Sequence, residues 1–353
     1  MRIAVTGATG NVGTALLRRL TEGGGHELVG IARRPPNDEF PTVSWVSTDL
    51  TTDESIVSLR EAFRDADAVV HLAWGFQPSH DPDHLEELGV GGTRRVIDAA
   101  RDVAVPHLVH MSSVGAYSAK VDDEPVDESY PTGGIPSSPY SRHKAAAERL
   151  LEAHEAHHEV PRVTRLRPGI IGQRAAAGAL LRYGLPGFVP ARALRLIPVL
   201  PLDRRIAMPM VHADDVAAAI ERVLTVSAYG AFNLAAPPTI TPEVIGEVLD
   251  ARPIHVPGNV LRGAAALTWR IHLQQVDPGW VDLAMRAPLL ATDRARRELD
   301  WRPTVPADEV LRETVEGMAN ADSGGTPVLR PRTLSDRVAA LVRRGPVSRR
   351  ARP

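Results

Sequence analysis

Thr6-Gly7-Ala8-Thr9-Gly10-Asn11-Val12-Gly13 is the stretch on which the fold turns. A short β-like run, Ile3–Thr6, enters it, and a helical window, Val12–Leu20, leaves it. Glycine therefore recurs at every third position just where a strand hands over to a helix. Gly7 permits the tight turn, Gly10 lets backbone approach a pyrophosphate, and Gly13 allows close helix–strand packing. The N–H groups at the helix start then serve as phosphate donors. Thr9, Asn11 and Val12 complete the candidate cradle. A ligand-free strand–helix turn is the competing reading; the position after the first strand favours the dinucleotide.

Outward from this loop, β-like runs alternate with helical windows. Glu27–Ala32, Val43–Ser47, Ala68–Leu72 and His107–Ser112 read as buried strands. Glu54–Phe63, His84–Asp102 and Tyr140–His158 read as helices. Such alternation predicts an α/β fold with a doubly wound parallel sheet, helices on both faces. Further strands are expected at Arg162–Arg167 and Ala207–His212. A helix Val216–Leu224 is expected to be capped by Asp214 or Asp215. Pro242–Leu249 and Pro306–Met318 read as helices with proline at the first helical position.

Composition narrows the function classes. The chain has 353 residues, 43% hydrophobic and 24% charged, with no cysteine. This excludes disulfides, thiolate catalysis and cysteine-type metal sites. It is compatible with a reducing cytoplasm, where the protein is expected. The net charge of −2 hides an asymmetry. Residues 321–353 carry eight arginines against Asp322 and Asp336, so the tail is +6 and the body −8. A mildly acidic body does not suit nucleic-acid binding. Neither a targeting segment nor a membrane-length apolar run is visible.

The second strand ends Ala32-Arg33-Arg34, where the glycine fingerprint expects an acidic residue for a ribose 2′-hydroxyl. An arginine pair suits a 2′-phosphate instead. NADP is therefore the expected cofactor, with NAD as the alternative.

Pro139-Tyr140-Ser141-Arg142-His143-Lys144 opens a helix, and a spacing of four puts Tyr140 and Lys144 on one face. A phenol titrating near 10 is a poor base at neutral pH, and a neighbouring ammonium favours its phenolate. A serine at the end of the fifth strand, Ser112 or Ser113, is placed to orient a substrate oxygen.

Together these pieces resemble the extended short-chain dehydrogenase/reductases, the NAD-dependent epimerase/dehydratase family, and occur in its order. The glycine loop looks like its T-G-x-x-G-x-x-G. Asp49-Leu50 follow the third strand, at the family's adenine contact. His71-Leu72-Ala73 resembles the cofactor-lining end of its fourth strand. Gly92-Thr93 resembles part of its N-V-x-G-T, Ser113-Val114-Gly115-Ala116-Tyr117 its S-x-x-V-Y, and Tyr140-x-x-x-Lys144 its Y-x-x-x-K. Leu166-Arg167-Pro168-Gly169 resembles its L-R-P beside the nicotinamide. Val211–Ala217 resembles V-H-V-D-D-V-A, and Glu298–Pro303 resembles E-L-G-W-x-P.

The resemblance covers about residues 1–320, leaving 321–353 as a basic extension. It implies a Rossmann-type doubly wound parallel sheet with a smaller C-terminal substrate lobe, mainly 170–206 and 235–320. It implies Ser113, Tyr140 and Lys144 as the catalytic set, Lys144 also holding the nicotinamide ribose. It also implies a homodimer. Two departures stand out. Gly89 occupies the place where the family often has the Asn of N-V-x-G-T. Leu166–Gly172 lacks the F-N-V-Y-G pattern of nucleotide-sugar epimerases.

The leading function is an NAD(P)-dependent oxidoreductase acting on a small-molecule secondary alcohol or ketone. The alternatives are a nucleotide-sugar epimerase or dehydratase that does not consume its cofactor, and a cofactor-sensing protein without turnover. Trp74 and Phe76 are candidate substrate contacts, as are arginines of the irregular stretch 170–206. No metal is expected: His154-Glu155-Ala156-His157-His158 fits H-E-x-x-H but reads as solvated helix turns. The tail stripe Leu334, Val338, Leu341 and Val342 reads as a loose extension rather than a membrane contact.

Overall fold

Most strands of the first half are buried apolar runs joined through helices, so the sheet they form must be covered on both faces. The computed structural model describes residues 1–75, 81–179, 198–271, 273–274 and 276–330. The expectations at Phe76, at Arg182, Arg192 and Arg195, and along the tail stripe lie outside these residues.

In chain order the strands are β1 (Arg2–Thr6), β2 (Glu27–Ala32), β3 (Ser44–Ser47), β4 (Ala68–His71), β5 (His107–Met111), β6 (Arg162–Pro168), β7 (Ile170–Gly172), β8 (Val199–Leu202), β9 (Met208–His212), β10 (Gly230–Leu234), β11 (Ala236–Ile240) and β12 (Arg252–His255). The first-half helices are α1 (Asn11–Gly23), α2 (Ser55–Phe63), α3 (Pro82–Glu86), α4 (Gly92–Asp102) and α5 (Pro139–His157).

The central sheet has seven strands in the order β10-β6-β5-β4-β1-β2-β3, all parallel. Strand order reverses between β1 and β4. That switch opens a crevice at the carboxyl ends of these strands. Side chains alternate across the sheet as the pleat requires. Ile3, Val5, Val70 and Val109 face one core with Leu16 of α1 and Val216 and Ile220 of the helix Ala213–Val226. Ala4, Val69, Leu108 and Val163 face the other with Leu59, Val96 and Leu151 of α2, α4 and α5. A three-stranded sheet, β11-β9-β7, lies apart, covered by the helix Ala307–Asn320.

Three expectations need correction. The window His84–Asp102 is interrupted: α3 passes into a turn of π-helix, Glu87–Gly91, before α4. Glycines at 89, 91 and 92 weaken the regular helix there. At Gly89 the indole of Trp74 packs so closely that a Cβ would meet it at 3.0 Å. The helix after β9 spans Ala213–Val226, and its N-cap is His212, which accepts from the Asp214 N–H. Asp214 and Asp215 therefore sit in the first turn and cap nothing. Asp215 is buried and accepts from the N–H and hydroxyl of Thr304 and the Val305 N–H. The last described helix begins at Ala307, with Pro306 just outside it. Strands β7, β8, β11 and β12 are too short or too proline-rich for periodicity to show them. β11 carries Pro237 and Pro238 and lies at a sheet edge, where a missing donor is tolerated.

Candidate active site

The glycine loop closes the β1 end of the crevice. Gly7 has φ +69°, the left-handed region, and its N–H donates to Ile31. A Cβ on Gly7 would lie 2.6 Å from the Ala73 nitrogen, so the β1 and β4 ends nearly touch. At Gly13 a Cβ would meet the Gly7 oxygen at 2.4 Å and the Ala8 oxygen at 2.6 Å. Gly10 is the N-cap of α1; no side-chain oxygen caps that end, and its first turn holds no acidic residue. A helix start that no side chain caps and no carboxylate approaches, entered through glycines, suits a pyrophosphate. The surroundings of Leu72, Ala73 and Pro168 place them at carboxyl strand ends around the same crevice. Val12 and Thr9 are buried. Asn11 turns away, its amide donating to the Ile171 carbonyl at 3.1 Å while its oxygen accepts from Gln173 at 2.7 Å.

At the other end of the loop lie the β2 arginines. An Arg33 nitrogen is 3.8 Å from Asp49. Burial alone would raise the Asp49 carboxyl, but hydrogen bonds from the Thr51 N–H and hydroxyl, together with Arg33, hold it below the usual range. Leu50 is buried in the α2–α4 core, and its carbonyl accepts from Arg95.

Beyond β4 and β5 the structure brings Ser113, Tyr140 and Lys144 together. Ser138 caps α5 by accepting from the Ser141 N–H, and Pro139 starts it. Ser113 accepts from the Gly115 N–H at 3.0 Å and is hydrogen-bonded with Tyr140. Gly115 is tight for the same reason: a Cβ would meet the Tyr140 ring at 2.8 Å. Ser112, the other candidate, instead donates to buried Glu148 at 2.5 Å. Lys144, 2% exposed, donates to the Met111 carbonyl at 2.8 Å and sits 3.5 Å above the Trp74 ring centroid. Trp74 also meets Tyr140 edge-on at 6.5 Å, so one indole touches both.

The expected pull of Lys144 on the phenol is not what dominates. Burial pushes Tyr140 up to about 12, with the Ser113 hydrogen bond acting against it. Burial also drives Lys144 well below the usual ammonium range, partly opposed by Glu148. Both charged forms are disfavoured by the same apolar walls, so desolvation outweighs the attraction that spacing alone suggests.

Two participants escaped the sequence reading. Trp280 stacks on Tyr140 at 5.2 Å from 140 residues away. Its local signal is the helix start Asp277-Pro278, which says nothing of the tyrosine. Glu148, fully buried, receives both Arg167 Nε and Nη2 at 2.9 Å. It lies one turn after Lys144, a spacing that could have been read. The H-E-x-x-H side chains are engaged elsewhere. His154 bonds to the Pro161 carbonyl and stacks on His158, and Glu155 pairs with Arg165. Arg174 pairs with Glu316 and Asp322, and Arg205 with Asp203.

Comparison with known proteins agrees with this architecture. An uncharacterised protein of Mycobacterium tuberculosis is 26% identical over 318 residues, 89% of this chain but 29% of that protein. The chain thus spans under a third of the length of such relatives. The NAD-dependent glucose-6-phosphate dehydrogenase of Haloferax volcanii is 32% identical over 187 residues, 48% of this chain and 69% of that one. The UDP-glucose 4-epimerase of Thermus thermophilus, solved with NAD, shares the fold at a TM-score of 0.67 and 22% identity, covering 91% of this chain and all of that one (100%). The family model described as the NAD dependent epimerase/dehydratase family matches residues 3–235, and the chain belongs to that family.

Proposed function

We propose that the protein is an NADP-preferring oxidoreductase that moves a hydride between the nicotinamide and a secondary alcohol or ketone. The observation that supports this most is the meeting of Ser113, Tyr140 and Lys144 beside the glycine-lined crevice. In this reading the glycine loop holds the pyrophosphate, and Arg33 and Arg34 hold the adenosine 2′-phosphate. Nicotinamide bound there would supply the hydride chemistry. Tyr140 carries the proton to or from the substrate oxygen, and Ser113 donates a hydrogen bond to that oxygen. Lys144 holds the ribose of the nicotinamide half. Trp74 and Trp280 wall the tyrosine, so the substrate carbon meets aromatic faces and water is kept from the reacting bond.

A second reading is a nucleotide-sugar epimerase or dehydratase, which uses the same side chains and returns the hydride to the substrate. The UDP-glucose 4-epimerase of Mycolicibacterium smegmatis, 32% identical over 162 residues, favours keeping it. Cofactor stoichiometry separates the two. A panel of sugars, nucleotide sugars and small ketones is incubated with NADPH or NADH while absorbance of the reduced nicotinamide is followed. Net oxidation or reduction matching product supports the oxidoreductase. Product without net cofactor change overturns it in favour of the second reading.

A further inference from the structure

The chain past the helix Ala307–Asn320 folds back onto the glycine loop. The Asp322 carbonyl accepts from the Gly178 N–H at 2.9 Å. A closed turn follows, with the Gly324 N–H donating to the Leu329 carbonyl and the Leu329 N–H donating to the Thr326 carbonyl, both at 3.0 Å. Leu329 is buried and packs on Ala176 and Ala179. Gly325 lies against the Glu39 carboxylate of the loop after β2, with no room for a side chain between them. So fixed, the turn presents Thr326, 1% exposed, whose hydroxyl donates to the Thr9 carbonyl of the glycine loop at 2.8 Å.

The Thr9 carbonyl belongs to the Thr9–Gly10 peptide, and the N–H of that same unit donates to the Gly7 carbonyl at 2.9 Å. A planar trans peptide held at both its oxygen and its N–H cannot rotate without breaking one of the two bonds. Two residues on, Gln173, buried just after β7, donates to the Asn11 carbonyl and to the Asn11 side-chain oxygen, each at 2.7 Å. Two successive carbonyls of the loop that side chains grip are thus held from segments 162 and 317 residues away. The first N–H groups of a helix have no acceptor within it, and in α1 these belong to Asn11, Val12 and Gly13. Where they point follows from how the peptides before and among them are turned.

We propose that Thr326 is a positioning residue of the phosphate cradle, and that the turn 322–330 belongs to the dinucleotide-binding unit. This rests on the dinucleotide reading above and deepens it. Thr326 acts through the Thr9 carbonyl, fixing the peptide that leads into the α1 donors, and so serves NADPH and NADH alike. Leu329 and the Asp322–Gly178 bond hold the turn against the loop.

Calorimetric titration of the full chain with NADPH, NADH and ADP, and competition by adenosine, test the idea in wild type, Thr326→Val and Thr326→Ser. Thr326→Val keeps the shape of the side chain and loses the donor. Leu329 packs outside both faces of the central sheet, so the fold is expected to survive the change, which urea midpoints on each variant check. Thr326→Val is expected to weaken NADPH, NADH and ADP by a similar factor, about three- to tenfold, the worth of one hydrogen bond. Adenosine, which carries no phosphate, stays within about twofold, and Thr326→Ser recovers most of the loss. Wild-type affinity in Thr326→Val, a loss that Thr326→Ser does not recover, or adenosine weakened as much as ADP overturns the role of Thr326, while wild-type binding of the dinucleotides leaves the cofactor reading intact. A wild type that binds neither dinucleotide overturns the cofactor reading itself, and this proposal with it.

Discussion

Tyr140 is surrounded by residues from three other parts of the chain: Ser113 and Gly115 after β5, Trp74 after β4, and Trp280 from the helix Pro278–Arg286. A phenol pushed up to about 12 keeps its proton at neutral pH, which suits donation to a reduced carbonyl. Tyr140→Phe is expected to lower kcat by about 10²–10⁴-fold, the range for losing a general acid. The Kd for NADPH should stay within about twofold, as read by fluorescence titration. Turnover retained in this variant would remove Tyr140 from the chemistry. Gly13 is constrained more severely, because the atoms a Cβ would strike at 2.4 and 2.6 Å are backbone. Gly13→Ala should destabilise the fold by about 1–3 kcal/mol, as overpacking does. It should also weaken dinucleotide binding, since the displaced atoms belong to the loop itself. Parallel thermal melts and cofactor titrations would show both effects; a variant with normal binding would count against the phosphate role.

At the scale of elements, α5 is clamped to β6 by charge as well as by packing. Glu148 of α5 is fully buried between Arg165 and Arg167 of β6, with Ser112 of the β5 end as a further donor. Burial would raise its carboxyl, but the Arg167 hydrogen bonds and charge outweigh that and hold it low. Arg167 also donates to the Tyr117 hydroxyl at 3.0 Å, and that hydroxyl donates to Asn233 of β10 at 2.7 Å. Three strands and one helix are thus tied behind the Lys144 side of the site. Removing Glu148 leaves two guanidiniums buried with too little negative charge. Glu148→Ala is expected to cost about 3–5 kcal/mol in urea unfolding, against a much smaller loss for a surface pair such as Arg294–Glu298. A loss under about 1 kcal/mol would show that water enters and solvates the pair.

For the molecule as a whole, the two-faced core sets an acid limit. His71 and His107 are buried, 1% and 5% exposed, and burial lowers them to about 3 and about 4, with Lys144 and Arg162 adding to it. His110 is buried too, and burial holds it far below the ordinary value. The unfolded chain takes up these protons near pH 6.5, whereas the folded chain does not. Stability is therefore full above about pH 6.5 and declines as pH falls toward 4, by up to about 1.4 kcal/mol per pH unit for each histidine. Paired carboxylates such as Asp203 add to the loss only below that window. Urea midpoints measured from pH 7.5 to 4.5 should fall steadily, and the fall should be shallower for His107→Gln. A flat profile would mean that the imidazoles are hydrated.

The sequence by itself determined the parallel sheet, the glycine cradle and the pairing of Tyr140 with Lys144, because each depends on near neighbours. A strand's burial shows in its apolar run, a loop's tight turn in three glycines, and a helix face in a spacing of four. The choice of Ser113 over Ser112 needed the family's pattern, since two adjacent serines differ only in which way they point. Only the tertiary structure decided that Ser112 serves Glu148, that Trp280 stacks on Tyr140, that His212 rather than an aspartate caps its helix, and that Thr326 reaches Thr9 across 317 residues. It also reversed the expected shift of the tyrosine. Charge neighbours can be read from spacing, but desolvation depends on what distant segments pack around a group, and here it is the larger effect.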